Sequence, residues 1–343
     1  MFLLPFLFIG IFLELICGFL ILYRYTGKNK LVLIPAVLCV IFPRFLIIPF
    51  MHLFLIWAIL YSIIWLFLRE KKKEYLYWGT GAAALLITLI YLGSSYFFAH
   101  HVYETDYKIT TDKDVPPVRV ALIADTHLGC CFDEKGMKSL LQEIEETDPD
   151  MLVIVGDFVD DETEKKEMIR SCYDLGQVKT TYGVFYVPGN HDAGYYSAFR
   201  GFSYEDLLNE LRANGITVLE DQAVPVGDNY IIVGRNDYSM EREEIEDLMT
   251  DVDPDLFSIV LDHQPNDFTA ETEAGCDLVL SGHTHGGHMF PIAQIAEVFY
   301  INDLTYGIEQ RGDSTFIVTS GMSNWAIPFK SAAISEYCII DIS

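Results

Sequence analysis

Five apolar runs, each about one strand long, end directly on Asp, His or Asn. Residues 118–124 run into Asp125-Thr126-His127, and 151–155 into Gly156-Asp157. Residues 184–187 lead to Gly189-Asn190-His191-Asp192, 257–261 to Asp262-His263, and 277–280 to Gly282-His283-Thr284-His285. Segments around 134–147, 163–176, 203–213 and 241–250 carry apolar residues at helical spacing with charged faces. Another apolar run, 230–233, also reads as a buried strand. Strand then helix, repeated, predicts an α/β domain, in which ligands bind beyond the carboxyl ends of strands. A lone Asp after a strand is usually a helix cap and a lone His is usually packing. Five such ends in order predict one cluster.

The chain before this pattern is different material. Residues 1–103 hold eight Lys/Arg and three Asp/Glu, leaving 15 bases and 46 acids for the rest of the 343 residues. So acidic a domain excludes a nucleic-acid backbone as its main partner. The first part reads as membrane, with spans expected at about 1–23, 31–43, 49–68 and 75–99. One helix over 31–68 would reach ~57 Å, nearly two bilayer cores, so a turn near Pro43-Arg44 is expected. Arg24, Lys28 and Lys30 follow the first span, and Arg69, Lys71, Lys72 and Lys73 the third. Basic clusters favour the cytoplasm. Four spans put both clusters inside and the acidic domain outside the cell. The expected organisation is a four-helix transmembrane region (1–103), a linker (104–117) ending in Pro116-Pro117, and a domain (118–343). The seven cysteines include no repeated C-x-x-C pair, so no disulfide framework is expected.

Carboxylate and imidazole donors suit Mn, Fe or Zn without thiolates. Two such ions ~3.5–4 Å apart can hold a bridging hydroxide and clamp a phosphoryl group. Asp157, with two oxygens at the end of a central-looking strand, is the natural shared ligand. Asp125, His127 and one late histidine would complete one ion; Asn190, His263 and another late histidine the second. His191 would protonate a leaving-group oxygen, with Asp192 behind it to orient its ring.

Asp125-x-His127, Gly156-Asp157, Gly189-Asn190-His191-Asp192, His263 and Gly282-His283-x-His285 resemble, in order, the signature of calcineurin-like metallophosphoesterases. The resemblance covers about residues 118–343 and implies a β-sandwich flanked by helices. It implies two divalent metals, one held by Asp125, His127, Asp157 and His285, the other by Asp157, Asn190, His263 and His283. The Gly282-His283-Thr284-His285-Gly286-Gly287 run, with the tail from Ser320-Gly321-Met322 to Lys330, resembles a bacterial branch often exported or membrane-attached. That branch commonly has Gln where this chain has His288 and Arg where it has Lys330. Both are therefore carried as substrate-side positions, with Lys330 a point charge instead of a planar fork.

The expected function is a membrane-anchored phosphohydrolase acting on a phosphodiester or pyrophosphate of a lipid or envelope component. The alternatives are a phosphomonoesterase or nucleotidase, and a catalytically silent metal-bound sensor module. Tyr195, Tyr196, Phe199 and Phe202 would line a lipid-facing or base-stacking mouth, or simply pack a helix.

Overall fold

The computed structural model describes residues 15–23, 43–68, 73–194, 200–290 and 292–343. It divides into two units, residues 1–95 and 96–343.

In the first unit, residues 15–23 are helical. Helix α1 spans Pro43–Leu68, and α2 runs from Lys73 to His100, so that its last turn enters the second unit. Each contains a stretch long and apolar enough to cross a membrane, Ile47–Ile64 and Trp78–His100. Among the described residues there are two such helices and not four. The expected spans at 1–23 and 31–43 lie mostly or almost wholly outside the described residues. The expected turn at Pro43-Arg44 is the start of α1 instead, and the helix continues through Pro49. Proline suits a first helical position, because its missing N–H would have no intrahelical partner there.

The second unit holds two six-stranded sheets. Its strands are β1 (Val102–Ile109), β2 (Val118–Ile123), β3 (Met151–Val155), β4 (Val184–Val187), β5 (Thr217–Val218), β6 (Gln222–Val226), β7 (Tyr230–Gly234), β8 (Phe257–Leu261), β9 (Leu278–Ser281), β10 (Gly307–Arg311), β11 (Ser314–Val318) and β12 (Ser335–Ile342). One sheet has the order β1-β12-β2-β3-β4-β5, the other β10-β11-β9-β8-β7-β6. The central strands β2-β3-β4 and β7-β8-β9 are parallel within their sheets, so their carboxyl ends share an edge.

The central strands are continuous apolar runs because both faces are covered. In β2, Val120 and Leu122 face the other sheet, packed with Ile232, Ile259 and Leu280. Ala121 and Ile123 face the helices α3 (Glu134–Glu146), α4 (Lys165–Leu175) and α5 (Tyr204–Ala213), through Leu141, Met168 and Leu208 among others. The outer face of the second sheet packs on α6 (Ile245–Met249) and α7 (Phe268–Glu273), through Ile245 and Phe268. The result is a β-sandwich with helices on both sides.

The expected linker 104–117 is shorter. Most of its first half is β1, paired in parallel with β12 along its whole length. As an edge strand buried on one face, β1 alternates in burial and has no apolar run to betray it.

Candidate metal centre

The loops after β2, β3, β4, β8 and β9 converge. They are stitched by backbone bonds from Asp125 N to Gly156 O (3.1 Å), His127 N to Asp157 O (3.0 Å) and Gly282 N to His263 O (3.0 Å). Asp125, His127, Asp157, His283, His285 and His288 all have positive φ, between 38° and 69°. Non-glycine residues rarely adopt it, and such strain concentrates at functional sites. Neighbouring glycines make room. A Cβ on Gly189 would lie 2.3 Å from Asp157 Oδ1, and one on Gly321 would lie 2.5 Å from Asp125 Cβ. Neither position tolerates a side chain.

Three groups of donors result: Asp125, His127 and His285; Asp157, His263 and His283; and His127, Asp160 and His191. Asp157 Oδ2 lies 3.6 Å from His127 Nε2 and 3.2 Å from His263 Nε2, so one carboxylate oxygen faces both of the first two groups. His285 Nε2 lies 3.8 Å from Asp125 Oδ1. Asn190 Oδ1 is 2.8 Å from His283 Nδ1, joining the second group.

Other contacts aim the rings. His263 Nδ1 lies 2.8 Å from Val155 O and His285 Nδ1 3.3 Å from Ser323 O. A carbonyl only accepts, so these Nδ1 atoms donate and leave Nε2 as the lone-pair nitrogen facing the carboxylates. Both ring nitrogens of His127 and Nε2 of His263 are buried without a hydrogen-bond partner. Donors ~2.1 Å from a common ion lie roughly 3–3.5 Å apart, close to the spacings here. The donor set therefore fits divalent metal ions.

The electrostatics agree. Burial resists a proton on His127, but Asp160 and Asp157 raise its basicity; burial likewise resists one on His263, where Asp157 raises it further. The cluster calls for positive charge at its centre. Burial pushes Asp125 up to about 6 and His283 down to about 4. Burial, with the His127 imidazole nearby, holds His285 well below its ordinary value.

All seven expected donors, Asp125, His127, Asp157, Asn190, His263, His283 and His285, lie in the first two groups or against them. The remaining expected residues fall differently. His191 is adjacent: its backbone N donates to Asp157 Oδ1 (2.8 Å) and its ring sits 4.9 Å from that of His127. Asp192 does not face that ring. Its two oxygens accept from Val159 N (3.0 Å) and Gly189 N (2.9 Å), bracing the β3 loop against the β4 loop. The carboxylate at His191 Nδ1 is Asp160, at 3.4 Å, whose other oxygen is 3.5 Å from His127 Nδ1. Burial disfavours ionisation of Asp160, but the two imidazoles hold its carboxyl well below the usual range. The sequence reading missed Asp160; the available signal was an acid three residues past Asp157 on the same loop.

Lys330 is fully buried. Its ammonium donates to the carbonyls of Ser320, Gly321 (3.1 Å) and Ser323 (3.4 Å), so it ties down the loop behind Asp125 and His285 and reaches no substrate. Burial lowers it to about 8. The His288 ring packs edge-on to that of His285 at 5.6 Å and is pushed down to about 3 by burial. Trp325, also unexpected, is half-exposed with its ring 5.2 Å from that of His191. Tyr195, Tyr196 and Phe199 lie outside the described residues, and Phe202 is buried in the core against the helices.

A β-sandwich that gathers carboxylates and imidazoles at the strand ends in this order defines a metallophosphoesterase-type domain. The calcineurin-like phosphoesterase profile matches residues 118–287, and the chain belongs to the calcineurin-like metallophosphoesterase family. A Helicobacter pylori protein described as an uncharacterized metallophosphoesterase is 31% identical over 66% of this chain and 60% of its own length. A Danio rerio protein described as a transmembrane protein with metallophosphoesterase domain is 30% identical over 64% of this chain and 52% of its own. The chain thus spans about 60% of the length of the first of these relatives. A solved dimetal phosphatase of Danio rerio is 13% identical at a TM-score of 0.41, over 59% of this chain and 87% of that one.

Proposed function

We propose that this chain is a membrane-anchored, two-metal phosphohydrolase acting on a phosphodiester or pyrophosphate bond of a lipid or envelope component. The observation that carries the reading is Asp157. One of its oxygens faces a histidine from each of two donor groups, as a ligand shared between two ions requires. Asp125, His127, Asp157 and His285 would hold one ion, and Asp157, Asn190, His263 and His283 the other. Mn, Fe or Zn matches these donors. Bound ions would supply an activated water and a clamp for phosphoryl oxygens.

The rest falls to the chain's own groups. His191 gives a proton to the departing oxygen. Asp160 holds the Nδ1 side of that ring, which fixes the tautomer and turns Nε2 toward the substrate. Asp192 keeps the loops carrying Asp157 and His191 in register.

The two apolar helices support the anchor. The segment between them contains Arg69, Lys71 and Lys72, so it belongs on the cytoplasmic side and the domain after α2 on the opposite side. Protease added to sealed right-side-out vesicles would then digest the domain, and resistance there would reverse the orientation.

The test of the reaction is turnover of bis-p-nitrophenyl phosphate and p-nitrophenyl phosphate by the full chain, stripped of metal and resupplied with Mn. Metal should restore cleavage, the diester should be preferred, and Asp157→Ala should abolish both metal retention and turnover. Preference for the monoester would move the reading to a phosphomonoesterase or nucleotidase. Metal binding with neither ester cleaved would favour a silent metal-bound sensor module.

A further inference from the structure

Large apolar side chains are not scattered over the surface of the second unit. Beyond residue 100, eleven are exposed among the described residues, and eight of these lie between Phe290 and Trp325. Val298, Phe299, Tyr300 and Ile301 are consecutive, and Tyr300 is 90% exposed. Between His288 and Ile301 only Glu297 is charged, in a domain otherwise dense with acids. Large apolar side chains exposed so densely along one stretch of chain mark an interaction surface.

Its position says which. The segment leaves the turn that carries His283 and His285, and hydrogen bonds tie it to one loop. Ser331 N donates to His288 O (3.0 Å) and Phe290 N donates to Ser331 Oγ (3.0 Å). The loop before Ser331 carries Trp325, Ile327 and Phe329. The Phe329 ring packs against Tyr96 at 6.2 Å, and Ser335 Oγ donates to Ala99 O (3.3 Å). Tyr96 and Ala99 belong to the last turn of α2, the end of an apolar membrane-length stretch. Only His101 separates α2 from β1, one residue reaching ~3.5 Å, so the first strand of the domain starts where the helix ends. Trp325, four residues before Phe329 on that loop, stands beside His191.

We propose that Phe290, residues 298–301 and the 325–329 loop rest on the apolar surface of the bilayer from which α2 emerges. The centre accordingly receives a phosphoester whose apolar tail stays in that leaflet and whose head group enters past Trp325. The inference rests on the hydrolase reading for its substrate but not for its surface. Aromatic and aliphatic side chains are what an interface accepts. The acidity of the domain leaves apolar burial as the binding force, so docking should persist at high salt.

The experiment uses the full chain with Mn in phosphatidylcholine–phosphatidylglycerol vesicles. Hexadecyl p-nitrophenyl phosphate in the bilayer and ethyl p-nitrophenyl phosphate in solution present the same scissile bond. The hexadecyl ester should be preferred in kcat/KM. Phe299→Asp with Tyr300→Asp, and separately Trp325→Ala, should each lower the hexadecyl-to-ethyl ratio by about tenfold or more. An unchanged ratio, or a preference for the ethyl ester, overturns the proposal. A second measurement needs no turnover: brominated phosphatidylcholine should quench fluorescence that is present in the wild type and missing from Trp325→Phe. Absence of that quenching overturns the surface, as would a dimer in detergent with these residues protected inside it. If the wild type cleaves neither ester, the hydrolase reading fails while the quenching still decides where the patch lies.

Discussion

Asp262 and His263 are neighbours at the end of β8, yet they enter two buried charge clusters built on opposite plans. Around Asp262, Arg235 Nη1 meets Asp262, Asp267 and Glu271 at 2.9, 2.9 and 3.4 Å, and Arg242 meets Asp262 and Asp267 at 3.0 and 3.2 Å. Every carboxylate there touches a guanidinium. Around His263, carboxylates and imidazoles meet one another at 3.2–3.8 Å. Among the described residues no Lys or Arg pairs with Asp125, Asp157 or Asp160. Burial of charge therefore does not by itself mark a working site. The first cluster pairs each of its carboxylates with a guanidinium of its own and serves the fold. The second assembles lone pairs around shared points and is completed by cations from outside.

The comparison is sharpened most by the acids beside His191. His191→Ala should cut kcat by about 10²–10⁴-fold. Asp160→Asn should cost roughly 10–100-fold, mainly in kcat. Asp192→Asn should instead lower the melting temperature, because its oxygens hold backbone N–H groups across two loops. Steady-state kinetics beside thermal unfolding separates them. An Asp192→Asn protein with wild-type stability and a kcat as low as that of Asp160→Asn would break the assignment. Next in size is the self-paired cluster. Arg235→Met strips the shared partner from Asp262 and Glu271 and should destabilise the fold by about 3–5 kcal/mol. Mn affinity of the folded fraction should stay within a few-fold of the wild type, by calorimetry. Loss of affinity with little loss of stability would make the Arg235 network part of the metal centre.

The donors were legible because each directly follows a strand that is apolar on both faces, which fixes where the strand stops and what stands at its end. β2, β3, β4, β7, β8 and β9 could be read for that reason. β1 could not, since an edge strand shows only alternation, and β12 starts on Ser335 and a fully buried Glu336. Glu336 reads as a surface residue until Thr319 Oγ1, Ser320 N and Tyr306 OH are seen donating to it. The same limit applied to Lys330 and Asp192. Their types were right for a site, but which atoms they face depends on loops that sequence spacing does not orient. The membrane half was legible only in part: the helix expected from residue 49 starts at Pro43 and continues through Pro49, and the spans expected at 1–23 and 31–43 lie mostly or almost wholly outside the described residues.

The smallest expected effect concerns Asp125, and it separates the two clusters by pH. Burial, with the Asp157 carboxylate adding to it, raises the Asp125 carboxyl from 3.8 to about 6, against the pull of His263 and His127. A raised folded value means that the metal-free fold prefers the neutral acid. Its stabilising contribution is present below about pH 4 and is lost as pH rises through about 6. Ligation needs the carboxylate, so a proton competes with the ion below pH 6, and Mn affinity should fall by up to about tenfold per pH unit there. Titration calorimetry at pH 5, 6 and 7.5 measures this, with Asp125→Asn as the control in which the dependence flattens. Unfolding with and without Mn supplies the converse, because metal should protect most above pH 6, where the metal-free centre carries its unneutralised charge. Affinity that is level from pH 5 to 7.5 would mean that Asp125 does not bind the ion, and that the first donor group is held together, like the Arg235 network, by its own contacts.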